Sequence, residues 1–215
     1  MFGGGVVGER LERPFFARPA RQVAPALLGQ YLVREWGSGP YAGKRVVGRI
    51  VETEAYCDSD EGPDLACHGS KNGGRPTART EVMFGRAGVA YVYFTYGVHW
   101  MFNVVTGEEG EANAVLVRAV EPVAGEGVIK LLRPGVKRKA WTNGPAKLAK
   151  GMGIGGAFNG VDLCGGGGAL WLEVGDGVGE VAVGPRVGLG KTPEPWFSRP
   201  WRYWEKGNGW VSKYR

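Results

Sequence analysis

The chain has 215 residues, with 27 Lys and Arg against 21 Asp and Glu, a net charge of +6 and an isoelectric point near 9.3. That length fits one globular domain, and eight each of Trp, Tyr and Phe supply a core that excludes wholesale disorder. No apolar run approaches the roughly 18 residues of a membrane span, and three cysteines with two histidines argue against a disulfide framework or a zinc site.

Residues 1–12 are expected to be flexible, and they lack the basic-then-apolar pattern of a signal peptide, so a cytoplasmic protein, nucleoid-associated if prokaryotic, is expected. Apolar spacing over residues 20–28, closed by Gly29, predicts a short helix in spite of Pro25. Residues 31–34 and 45–56 read as strands joined through Gly39-Pro40 into a hairpin. Aromatic and β-branched residues predict a strand over 90–96 that ends at Gly97, then strands over 100–106 and 114–120. Gly144-Pro145 opens a short helix through Lys150, and β character returns at 169–174, 180–183 and 201–204. Thirty-nine glycines punctuate these runs as turns, with Gly165 to Gly168 as a loop tip. The predicted class is a single β-rich α+β domain, with a curved, mainly antiparallel sheet and short flanking helices.

Two familiar patterns fail on context. Gly151-x-Gly153-x-x-Gly156 has the letters of a dinucleotide fingerprint, but it follows a predicted helix and opens none. Gly190-Lys191-Thr192 resembles the end of a phosphate loop, yet Pro185 stands where a glycine amide is needed.

The strand from Val51 to Tyr56 is more informative. Alternation puts Val51, Thr53 and Ala55 on one face and Glu52, Glu54 and Tyr56 on the other. For an arbitrary strand this describes a solvent-facing edge with scattered charges. Here the chain continues through acidic residues 58–64 to His68, then into a loop carrying Lys71, Arg75 and Arg79. A carboxylate can activate water and the cations can hold an anionic backbone, a combination suited to hydrolysis on a nucleic acid.

Residues 49–56 (Arg-Ile-Val-Glu-Thr-Glu-Ala-Tyr) begin a series of motifs. It continues with Ala90-Tyr91-Val92-Tyr93, Tyr96-Gly97-Val98-His99, Asn103-Val104-Val105, residues 116–122 and Gly144-Pro145-Ala146-Lys147-Leu148. With Phe15-Phe16, Leu27-Leu28-Gly29, Arg186-Val187-Gly188 and Pro200-Trp201-Arg202, these span nearly the whole chain in order. Together they closely resemble the alkyladenine DNA glycosylase (3-methyladenine DNA glycosylase) family.

The resemblance implies an enzyme that flips damaged purines from double-stranded DNA and hydrolyses the N-glycosidic bond without a metal or cofactor. Glu54 would be the general base, with Arg118 helping to hold the water and the base. Tyr56 on one side and His68 with Tyr93 on the other would receive the flipped purine, and Asn103 would exclude normal guanine. Tyr96 would be the intercalating wedge, while Arg75, Arg79 and Lys147 are candidate contacts to the DNA backbone. Neither a membrane nor an obligate protein partner is implied. The segment from Cys57 to Cys67 is longer than the family pattern, Thr80 replaces a frequent asparagine, and the region 128–142 is short. The Lys137-Arg138-Lys139 run is a further candidate for the DNA face, although a charge run is more often a solvated loop.

Two other readings stay open on residues alone. A carbohydrate glycosidase could pair Glu52 with Glu54, since alternate strand residues stand roughly 6.6 Å apart. A noncatalytic damage-binding protein could use Tyr96 as its wedge. A lyase needs a lysine nucleophile, and the resemblance puts none in the pocket.

Overall fold

A computed structural model describes residues 8–57 and 62–213. Its eight strands, all paired antiparallel, are β1 (Tyr31–Glu35), β2 (Arg45–Tyr56), β3 (Ala90–Thr95), β4 (His99–Val105), β5 (Ala114–Ala124), β6 (Leu170–Glu173), β7 (Val181–Gly184) and β8 (Arg202–Glu205). Four helices of seven residues or fewer accompany them among the described residues: α1 (Arg13–Phe16), α2 (Ala20–Ala26), α3 (Glu126–Leu132) and α4 (Pro145–Gly151). This is the sheet-rich α+β class expected.

The strand order is β3-β4-β5-β2-β1-β6, with the β7–β8 ribbon joined to β2 through β8. β5 follows one edge of β2, whereas the other edge is shared, by β1 over Arg45 to Arg49 and by β8 over Glu52 to Glu54. Both edges are therefore hydrogen-bonded around the two carboxylates, which rules out the solvent-facing edge. Glu52 and Glu54 have no exposed surface at all.

The opposite face of β2 belongs to the core. Ala20, Val23, Ala24 and Leu27 are fully buried at helical spacing, and the Thr53 hydroxyl donates to the Ala24 carbonyl at 2.8 Å. Burying Val23 and Leu27 contributes roughly 1.5–3 kcal/mol each. Gly29 follows with φ +83°, and a Cβ there would lie 2.2 Å from the Gly177 backbone, so only glycine fits. Helix α3 escaped the sequence reading because it is short and contains Gly127; buried Val128 and Ile129 hold it in place of propensity.

Near the beginning of the described chain, the Leu11 amide donates to Leu172 and the Val174 amide to Glu9, tying this segment along β6. Residues 1–7 of the segment expected to be flexible lie outside the described residues. Among the described residues no helix is long and apolar enough to cross a membrane. A second, smaller apolar cluster of Cys67, Met83, Tyr91, Val105 and Ala114 stands apart from the main core and carries Tyr56 and Tyr93 against it. That cluster underlies the cleft described next.

Candidate active site

Antiparallel pairing projects directly opposed residues from the same face. Glu54 opposes Leu116, Leu116 opposes Asn103, and Asn103 opposes Tyr91, so one row crosses β2, β5, β4 and β3. Tyr56 opposite Ala114 and Met101 opposite Tyr93 flank it on the same face. Apart from Glu54, which lies beneath, these side chains line a cleft of about 700 Å³, within the usual range of small-ligand pockets.

Arg118 reaches this face through a backbone irregularity. Glu52 pairs with Ala119 and Thr53 with Val117, leaving Arg118 as the extra residue of a β-bulge. A bulge re-aims its side chain, and this one lies against both carboxylates. Nη1 of Arg118 stands 3.1 Å from Oε2 of Glu54, and its Nε donates to Oε1 of Glu52 at 2.8 Å. Glu54 also accepts from the Tyr56 hydroxyl (2.8 Å, Oε2) and the Val187 amide (2.6 Å, Oε1). Three of its roughly four acceptor positions are thus occupied. Burial disfavours the Arg118 charge, but Glu54 and then Glu52 outweigh it and raise its pKa above the ordinary guanidinium value.

The walls set loop residues against side chains of β2 and β3. His68 and Tyr93 meet edge-on, with ring centroids 4.6 Å apart, and Nδ1 of His68 lies 3.0 Å from the Tyr91 hydroxyl. Burial, helped by Lys71 and Arg79, lowers the His68 pKa to about 4, so the imidazole is neutral at physiological pH. Burial raises the Tyr93 pKa to about 12; Tyr56 is raised well above its ordinary value by burial and by Glu54, so both phenols keep their protons. Behind Tyr56, the Arg186 guanidinium stacks 4.6 Å from the ring centroid and forks onto Asp64 at 2.5 and 2.9 Å, with neither charged side chain exposed. This buried pair joins the wall segment leading to His68 to the one that follows Arg186.

Tyr96 occupies the tip of the β3–β4 hairpin and is 84% exposed. It has φ +52° and Gly97 has φ +69°, the two positive values of a primed turn, and the Val98 amide closes the turn onto Thr95. A bulky aromatic in the left-handed region is strained, so the chain spends stability to aim this ring outward.

The remaining candidates divide. Asn103 is buried in the floor and its amide donates to the Tyr91 carbonyl at 3.0 Å. Arg79 lines the cleft, donates to the Phe94 carbonyl and lies 5.2 Å from the Tyr93 ring centre. Arg75 and Lys147 are exposed but do not line the cleft, and Lys147 contacts Asn143. Arg138 pairs with Glu126 and covers Trp210, away from the cleft lining. Lys71 lines the cleft, a position the sequence reading had not assigned to any lysine.

Sequence reasoning also missed the Val187 amide, Tyr91 and the Asp64–Arg186 pair. A backbone donor has no letter of its own; Tyr91 was visible only as the alternate neighbour of Tyr93. Among the described residues, no group of three or more His, Cys, Asp or Glu could hold a metal ion.

Several known proteins are similar to this chain along nearly its whole length. The family model described as methylpurine-DNA glycosylase matches residues 14–209. A protein of Carboxydothermus hydrogenoformans, provisionally named a 3-methyladenine DNA glycosylase, is 46% identical over 205 residues, covering 94% of this chain and 98% of its own length. Proteins carrying the same provisional name are similar at 48% over 205 residues in Myxococcus xanthus, covering 94% and 93%, and at 44% over 204 residues in Methanocella arvoryzae, covering 94% and 96%. With the family model matching residues 14–209 and relatives 44–48% identical along nearly its full length, the chain belongs to the methylpurine-DNA glycosylase family.

Proposed function

We propose that this chain is a monofunctional DNA glycosylase of base excision repair that turns alkylated or deaminated purines, such as 3-methyladenine, hypoxanthine and ethenoadenine, out of duplex DNA. The observation that carries this reading is Glu54 beneath an aromatic cleft whose neighbouring hairpin holds Tyr96 outward under strain. Tyr96 fills the gap left in the base stack, and the purine enters between Tyr56 and the His68–Tyr93 wall. Asn103 on the floor limits which purine edges fit, and Arg79 serves the backbone near the cleft, with Arg75 and Lys147 farther out.

Glu54 uses its remaining acceptor position to take a proton from water as the oxygen bonds to C1′ and the purine departs with the glycosidic electron pair. Its negative charge opposes the cationic character that develops on the sugar. Because Glu54 has no exposed surface, bulk water is excluded from it. The products are a free base and an intact strand with an abasic site.

The carbohydrate reading loses its acid. Both oxygens of Glu52 are occupied by donors from Arg118, Arg202 and Ser212.

Single-turnover release from duplexes carrying hypoxanthine or ethenoadenine tests the proposal. Wild type should release the base, while Glu54→Gln should lose about 10³-fold in rate and still bind the lesion. Equal rates would remove Glu54 from the chemistry, and lesion binding without wild-type release from these or methylated duplexes would favour a noncatalytic binder. Borohydride should trap no adduct with abasic DNA; trapping lost in Lys71→Ala would make Lys71 a lyase nucleophile.

A further inference from the structure

We infer that Glu52 is a positioning residue for the hydrolytic step, holding Arg118 so that a single nitrogen of its fork meets Glu54. The inference rests on the reading of Glu54 as the base. Oε1 of Glu52 accepts from Arg118 Nε (2.8 Å), Arg202 Nε (2.7 Å) and Ser212 Oγ (2.8 Å), and Oε2 accepts from the Ser212 amide (2.7 Å). Four donors from β5, β8 and the segment after Trp210 converge on one fully buried carboxylate.

Arg118 is thereby divided among three partners: Nε to Glu52, Nη2 to Ser212 Oγ at 3.4 Å, and Nη1 to Glu54. Guanidinium and carboxylate ordinarily meet through two parallel bonds. A forked contact here would add a second donor to Glu54 and fill the acceptor position that water needs, since Tyr56 and Val187 already hold two. Glu52 blocks that fork by keeping the Nε side of the guanidinium turned away.

Stability alone does not account for such a hub. Well-packed apolar side chains often match or exceed the stability of a buried ion cluster, because the ions must give up their hydration. What an apolar replacement cannot do is fix the orientation of Arg118.

The test compares single-turnover excision and lesion affinity for wild type, Glu52→Gln, Arg118→Lys and the double variant, with Glu54→Gln as control. Glu52→Gln should lower excision by about 10- to 100-fold while lesion affinity stays within about 2-fold. Lysine has no Nε edge to hold, so in the Arg118→Lys background the same change should cost less than about 3-fold. Ser212→Ala, which keeps the backbone N–H hydrogen bond to Glu52, should give a smaller loss of the same kind and guards against misfolding of Glu52→Gln.

Losses that multiply across the two sites, or fall equally on affinity and rate, would overturn the inference and leave Glu52 as scaffolding. Wild-type excision by Glu52→Gln beside an inactive Glu54→Gln would overturn it alone. An active Glu54→Gln would overturn the underlying assignment of the base.

Discussion

The floor and the walls of the cleft are built by different means. On the floor, Glu54, Leu116, Asn103 and Tyr91 are set by ladder pairing across four strands, so their spacing follows from the sheet. The walls around His68 and after Arg186 include no strand, and a buried Asp64–Arg186 pair ties one to the other. Under the proposed function, rigid pairing would suit a carboxylate whose reach to a water must be held within a fraction of an ångström, and loops would suit surfaces that meet varied bases and DNA. The two regions should therefore fail differently when broken.

The sharpest break in the walls is Asp64→Ala, which leaves Arg186 charged and unpaired in the interior at a cost of about 3–5 kcal/mol. Denaturant unfolding should show that loss, with lesion affinity falling alongside, whereas Glu54→Gln on the floor should stop excision and leave affinity intact. Wild-type unfolding of Asp64→Ala would mean that the pair does not hold the walls. Tyr96→Gly should separate stability from function. Relief of the positive φ stabilises the hairpin by up to about 1 kcal/mol, while loss of the stacking ring weakens lesion binding by about 10-fold. Unchanged affinity would remove the wedge assignment.

His68 offers a pH test of the wall. Its pKa lies near 4 in the folded protein against 6.5 for a free imidazole. Between those values the unfolded chain takes up a proton that the folded pocket refuses, so stability should fall as pH drops from 6.5 towards 4. His68→Gln should flatten that part of the curve of denaturation midpoint against pH; an unaltered slope would show that the neutral imidazole is not its source. The smallest effects belong to Arg75→Ala and Lys147→Ala, each lowering the salt dependence of DNA affinity by about one phosphate contact at most. Arg79→Ala should do more, because Arg79 also packs on Tyr93.

The strands were legible because their code is local. Alternation through residues 51–56 and the turn at Gly97 belong to contiguous stretches, and the bounds of β2 agree with the reading at both ends. The residues gathered at the cleft were legible through their motifs, which named Glu54, Arg118, Tyr56 and Tyr93 before any contact was seen. Helix α3 was not legible, since packing of Val128 and Ile129 and not propensity forms it.

By itself, the sequence determined the class of fold, the order of its strands along the chain and the residue types available for chemistry. Only the tertiary structure decided that both edges of β2 are covered at Glu52 and Glu54, and that a bulge turns Arg118 towards both. It also decided that the Val187 amide reaches Glu54 and that Asp64 neutralises a guanidinium stacked behind Tyr56. Each of these joins residues far apart in the chain through register, burial or a backbone donor. Such relations arise when strands pair and water leaves, and side-chain letters do not encode them one position at a time.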